Sequence, residues 1–213
     1  MDDLYNSTIF NSLLLATIVG EFLLPWILKR FYNGYDSKKM VMSALGSPES
    51  PVRGIYNTWL IWLGMFLLIV SLVMFPEIKK ISTVLAALVF LSTAIFAVGA
   101  GILAGLFSVN ESKENITTAS KIHGVGSAIG FMTLMFLPLL SSIAAFMNSD
   151  ILQGIIYAIS FVLALLFFAF FIMGDKDEFK NTIFAYEGLW ERLSLFFMYI
   201  PFICTALNNL LSK

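Results

Sequence analysis

Glu21, His123, Ser127, Glu191 and Arg192 are the residues of this 213-residue chain whose types and settings could move a proton, ligate an ion or recognise a charge. Glu21 lies within the apolar run TIVGEFLLPW, seven residues before Leu28 and so about 10 Å inside its segment at the α-helical rise. A carboxylate at the centre of a membrane helix costs about 2.5–3.5 kcal/mol on insertion scales, so it faces other helices, pairs or takes up a proton. Pro25, four residues on, cannot bond the Glu21 carbonyl, which puts a kink and a free acceptor beside the acid. Acid and kink together predict a polar pocket. The other reading is a structural ion pair from Glu21 to Arg53 or Arg192 that locks the first helix in place.

His123 is the single histidine and opens KIHGVGSAIGF, with Ser127 one turn later on the same face. No second His and no Cys stand near it. Catalytic zinc takes three protein ligands, so no metal is assigned, although a carboxylate-rich site would complete one. A hydrogen-bonding role for His123 is preferred to acid/base catalysis, and both remain open. The chain contains no Ser-His-Asp order, G-x-S-x-G elbow, P-loop or H-E-x-x-H pair. No catalytic residue and no cofactor are therefore assigned, and whether the protein is an enzyme stays undecided.

Near the C-terminus, Glu187 and Glu191 share a face at i, i+4, whereas Arg192 is turned about 100° from Glu191. With the two acids directed towards loop and headgroups, Arg192 is expected to face the bundle. Its forked guanidinium would then hold Glu21 or the carbonyls of residues 43–57.

The elements that position these residues follow from composition. Hydrophobic residues make up 59% of the chain and charged residues 13%, where a soluble domain has about 25% charged. Six apolar segments, at about 9–28, 56–75, 84–107, 123–147, 151–173 and 189–211, are each close to the roughly 20 residues that cross a hydrocarbon core. Backbone amides in lipid must be bonded within their own segment, and the runs do not alternate as barrel strands would. The predicted fold is an all-α bundle of six transmembrane helices forming a single membrane domain over residues 1–213. MDDLYNSTIF lacks the features of a cleaved signal peptide, so the first helix is expected to stay attached. A net charge of −1 argues against a nucleic-acid partner. Cys204, the lone cysteine, sits in an apolar run and reads as an inert small hydrophobe.

Ten of the 13 Lys and Arg fall on the side of the first, third and fifth loops, Lys113 and Lys121 among them; Lys79, Lys80 and Lys213 fall on the other. That bias predicts a cell-membrane protein with those three loops cytoplasmic and both termini outside. Asn6, Asn110 and Asn115 sit in N-x-S/T triplets, but Asn6 lies across the membrane from the other two, so the triplets do not mark one luminal face. Gly101 and Gly105 in the third helix, and Gly126 and Gly130 in the fourth, form two G-x-x-x-G pairs that predict a tight hairpin of these helices. The stretch SALGSPESPVRGIYN, residues 43–57, is too restricted by its prolines to be a floppy linker. It is expected to fold back over the bundle and cap a vestibule lined by Glu21, Asn57, His123, Ser127, Glu191 and Arg192.

YDSKKMVMSALGSPESPVRGIYN after the first helix, GLFSVNES followed by KIHGVGSA, and GLWERL opening the sixth resemble the domain of unknown function 998 family of six-helix prokaryotic membrane proteins. The resemblance covers nearly the whole chain. It implies a Ser-x-Leu-Gly patch at Ser43, Leu45 and Gly46, an amide at Asn57, the histidine at His123 and the pair Glu191 and Arg192. Ser-Pro-Glu-Ser in the first loop is more distantly similar to DRAM-type membrane proteins. Where the family tends to Phe-Pro-x-Asp this chain has Phe107, Ser108, Val109 and Asn110, and an amide there removes the acid a metal or proton would need. Three functions fit a capped vestibule. One is binding or handling of a membrane lipid or another lipid-like, small amphipathic molecule. A second is transport of a small solute or ion. The third is a non-enzymatic scaffold assembling with a membrane-protein partner.

Overall fold

The computed structural model describes residues 2–110 and 117–212. Lys113, Asn115 and Lys213, which enter the charge and triplet patterns above, lie outside the described residues. A single helical turn, Asp2–Tyr5, precedes six long helices. We number these α1 (Thr8–Phe31), α2 (Arg53–Lys79), α3 (Thr83–Leu106), α4 (Thr118–Met147), α5 (Ile151–Gly174) and α6 (Glu187–Leu211). All six are long and apolar enough to cross a bilayer, and the described residues contain no strand. The protein is an all-α, multi-pass membrane protein.

Helix starts are written locally. The Ser7, Ser82 and Asp150 side chains accept from the backbone N–H groups of Phe10, Leu85 and Gln153, capping α1, α3 and α5. Thr117 and Ser120 form a reciprocal capping box at the start of α4.

The helices pack in chain order around a ring, α1 against α2 and so on to α6, which returns to α1. On the side of the second and fourth loops the ring is filled: Leu67, Leu134, Leu137, Met198 and Phe202 are all fully buried. Ser142 donates to the Gly154 carbonyl at 2.8 Å and Ser194 to the Ala164 carbonyl at 3.1 Å, which ties α4 to α5 and α5 to α6. At the opposite end of α1, the Arg30 guanidinium lies 4.3 Å from the centre of the exposed Trp26 ring, an interfacial anchor.

Two irregularities shape the other end of the ring. Past Phe96, α3 continues as a π-helical segment, Ala97–Leu103, before a last α-turn. The wider turn re-aims the small residues, and the hairpin expected from the two glycine pairs is corrected accordingly. Gly126 and Gly130 do pack on α3, but against Gly99, Ala100 and Phe96, whereas Gly101 and Gly105 face α2, against Gly64, Asn57 and Ile61. The second irregularity is a break in α4 at Met135–Phe136, between helical runs Thr118–Leu134 and Leu137–Met147. Pro138 has no N–H to offer the Leu134 carbonyl, so the ladder stops there. Below the break α4 packs on α5. Above it α4 leans on α3, and what meets α5 is the Phe131 ring, stacked on Phe168 and Phe171 at 6.5 and 6.4 Å.

Candidate functional site

The first loop is a strap over the bundle. Its 3₁₀ segment Met42–Gly46 buries Met42 and Leu45, and Ser47, Ser50 and Val52 are buried as the chain turns into α2. Both ends of the strap are held. Glu191 Oε2 accepts from the Met42 N–H at 2.7 Å, and the Leu189 N–H donates to the Lys38 carbonyl at 2.9 Å. Arg192 Nη1 donates to the carbonyls of Gly188, Ser37 and Met40 at 2.6, 2.8 and 3.3 Å, and Nη2 donates to the Tyr35 hydroxyl at 2.7 Å. That phenol is pushed up to about 12, chiefly by burial, which outweighs the neighbouring guanidinium. Arg192 therefore turns inward as expected, but it grips residues 35–40 and neither Glu21 nor the 43–57 carbonyls. Glu191 does not face the headgroups; it is buried under the strap.

At the start of α2 the Asn57 amide donates to the Gly46 carbonyl at 3.3 Å and to Ser108 Oγ at 3.2 Å, and Arg53 Nε donates to the same hydroxyl at 3.1 Å. A Cβ on Gly46 would collide with Asn57, so the Leu-Gly of the strap is what lets the amide bridge strap, α2 and the end of α3. Ser108 thus takes both side-chain donors at this corner. His123 secures the same corner. Its Nδ1 lies 2.9 Å from the Phe107 carbonyl and 3.3 Å from the Ala104 carbonyl, both without a backbone partner among the described residues where α3 ends. Two carbonyl partners require the proton on Nδ1, which leaves Nε2 with its lone pair.

Glu21 forms no ion pair with Arg53 or Arg192. Its Oε2 accepts from Trp59 Nε1 at 2.6 Å. Gly20 makes this possible, because the Trp59 ring lies so close that a Cβ there would clash with it.

Strap and helices enclose a cavity of about 470 Å³, within the range of small-molecule sites. All six helices reach it. Glu21, Ser43, His123, Ser127 and Glu191 line it, as do Glu187 and Asp175 towards its mouth; Asn57 and Arg192 stand behind the wall and hold the strap. Apolar walls are supplied by Leu60, Leu63, Phe96, Ala100, Phe131 and Leu195. Among the described residues no three His, Cys, Asp or Glu side chains are grouped as metal ligands. A wider concavity of about 710 Å³ on the outer surface of α3 and α4 carries one charged residue, Lys121, and none of these polar groups.

Trp59, Tyr35, Ser108 and the Phe131 contact are parts of the candidate site that sequence reasoning did not find. The signals that could have found two of them are the need of a buried Glu21 for a donor and Pro138 inside the fourth apolar segment. Which tryptophan, and which helix pair, depended on the packing.

A ring of six membrane helices, filled at one end and hollow under a loop strap at the other, defines the class. The chain belongs to the family described as Protein of unknown function (DUF998), matched over residues 15–208. No curated protein and no solved structure matches it.

Proposed function

We propose that the protein binds a lipid-like or small amphipathic molecule in the strap-covered cavity, with the polar end of the molecule among Glu21, Ser43, His123, Ser127 and Glu191. The observation that carries this reading is the graded cavity itself: polar under the strap, apolar below, and flanked by the α4–α5 gap that the Phe131, Phe168 and Phe171 rings bridge. A molecule already in the bilayer reaches such a gap sideways without crossing water. Transport across the membrane is the weaker reading, because Met198, Phe202, Leu134 and Leu137 fill the ring beneath the cavity and leave no path to the second face.

Organic extraction and mass analysis of the purified protein should find a copurified amphipathic molecule. Its amount should fall at least several-fold in Ala128→Trp, which fills the cavity from α4. His123→Asn retains an amide donor near the position of Nδ1 and removes Nε2, so it should keep thermal stability and lose the molecule, whereas His123→Ala should lose both. An unchanged yield of bound molecule in Ala128→Trp would refute the reading, and proteoliposome flux dependent on Glu21 would favour transport instead.

A further inference from the structure

Three buried side chains each turn an acceptor towards the hollow, beside the hydroxyls of Tyr56, Ser43 and Ser127. Glu21, His123 and Glu191 are 2%, 5% and 6% exposed, and each has one atom engaged: Glu21 Oε2 with Trp59, His123 Nδ1 with the end of α3, Glu191 Oε2 with Met42. Among the described residues the remaining atom of each, Oε1, Nε2 and Oε1, meets no protein donor, and all three residues line the cavity. Polar groups in such settings are rarely left without a partner, and the neutral hydroxyls on the wall bring no positive charge, so three acceptors around one hollow suit a cationic donor from outside. The charges are equally one-sided. The charged lining residues are Glu21, Asp175, Glu187 and Glu191, with no Lys or Arg on the described wall. Both nearby guanidiniums are committed elsewhere, Arg192 to the strap carbonyls and Tyr35, Arg53 to Ser108. Around these acceptors stand the rings of Tyr56, Phe96, Phe131, Phe168 and Phe171.

We infer that the polar end of the ligand is a protonated amine, so that the cavity takes an amphipathic cation, a long-chain amine without a phosphate. This assignment rests on the reading that the cavity binds an amphipathic molecule, and it names the headgroup. An ammonium brings several donors and a positive charge to acceptors buried in low dielectric, where charge-assisted hydrogen bonds are strongest, and the aromatic walls favour it through their π faces. A phosphate would find hydroxyls and no cationic donor. An alcohol would satisfy hydrogen bonds and bring no counter-charge to Glu21 and Glu191.

The test uses the full-length protein in phosphatidylcholine nanodiscs, with hexadecylamine, hexadecanol and hexadecyl phosphate as probes and the thermal-unfolding midpoint as readout. Hexadecylamine should stabilise at concentrations at least about tenfold below the other two, the ratio that one charged hydrogen bond supplies. Glu21→Gln and Glu191→Gln should each weaken the amine about tenfold and leave hexadecanol unchanged. Asp175→Lys, at the exposed mouth, tests the same charge preference without disturbing a buried group and should weaken the amine several-fold. Equal potency of amine and alcohol, both abolished by Ala128→Trp, would overturn the amine assignment and leave the cavity reading standing. Amine binding indifferent to all three charge substitutions would also overturn it. Failure of every probe to act on the wild-type protein would overturn both.

Discussion

Arg192 is one residue away from an acid that shares its helix and does the opposite job. Glu191 points under the strap and takes a single N–H, while the Arg192 fork collects the Ser37 and Met40 carbonyls and the Tyr35 phenol from chain 152–157 residues distant in sequence. That Arg192 points another way than Glu191 was legible from the 100° step between successive helix positions, although Glu191, expected to face outward, is buried under the strap. The partners of Arg192 were not legible, because a loop's carbonyl directions depend on how the loop lies, and side-chain types say nothing about that. Arg192→Lys keeps the charge and loses the fork. It should lower stability by about 2 kcal/mol, roughly 4–8 °C in detergent melting, and Arg192→Gln should lower it at least as much. Lys180→Gln, which removes an exposed i, i+3 pair with Asp177, should shift melting little. Equal tolerance of all three would show that the guanidinium does not hold the strap.

Among the elements, α3 and α4 carry the devices that open the cavity. Glycine in both helices announced close packing, and the packing is present. The pairing differed because the π-helical turn adds a residue to the ladder and rotates everything beyond it, so Gly101 meets Gly64 of α2 and Gly99 takes the place against Gly126. A π turn has no side-chain signature comparable to a proline. Pro138, by contrast, is a signal that sequence reasoning passed over, and its consequence, a half-helix leaning away from α5, follows from one missing N–H. The α2–α3 contact gives a sharp prediction. A methyl on Gly64 would meet Ile102 N and Cγ1 at 2.8 Å and the Ala97 carbonyl closer still. Gly64→Ala should therefore cost about 1–3 kcal/mol in chemical or thermal unfolding, whereas Gly124→Ala, with nothing within 4 Å of the new carbon, should be neutral or mildly stabilising. Equal effects at the two positions would place the close approach elsewhere.

For the whole molecule, cavity, strap and the bias of Lys and Arg lie at the same end. The positive-inside rule then predicts a cytoplasmic cavity mouth. The strap tip at Glu49 is exposed, and so is Asp3 near the N-terminus. In a Cys204→Ser background, Glu49→Cys should be shielded from an impermeant thiol reagent in intact cells, and Asp3→Cys should label. The reverse pattern would turn the mouth outward and make an extracellular supply of ligand the natural one.

Sequence by itself determined that the chain lives in a bilayer, how many times it crosses and which loops share a face. Those properties are sums over many residues, and the exclusion of unbonded backbone and charge from lipid leaves few alternatives. It also marked the residues worth watching, since a carboxylate at Glu21 or a lone His123 must be accommodated wherever the helices put it. Tertiary structure decided which of them meet. Whether Glu21 faces an arginine or an indole turns on the small step at Gly20 that admits Trp59. The strap closes over a hollow because α4 breaks at Pro138 while Glu191 and Arg192 hold residues 35–42 in place. These are pair geometries set by packing over long sequence separations, and residue types and spacing along a single helix do not contain them.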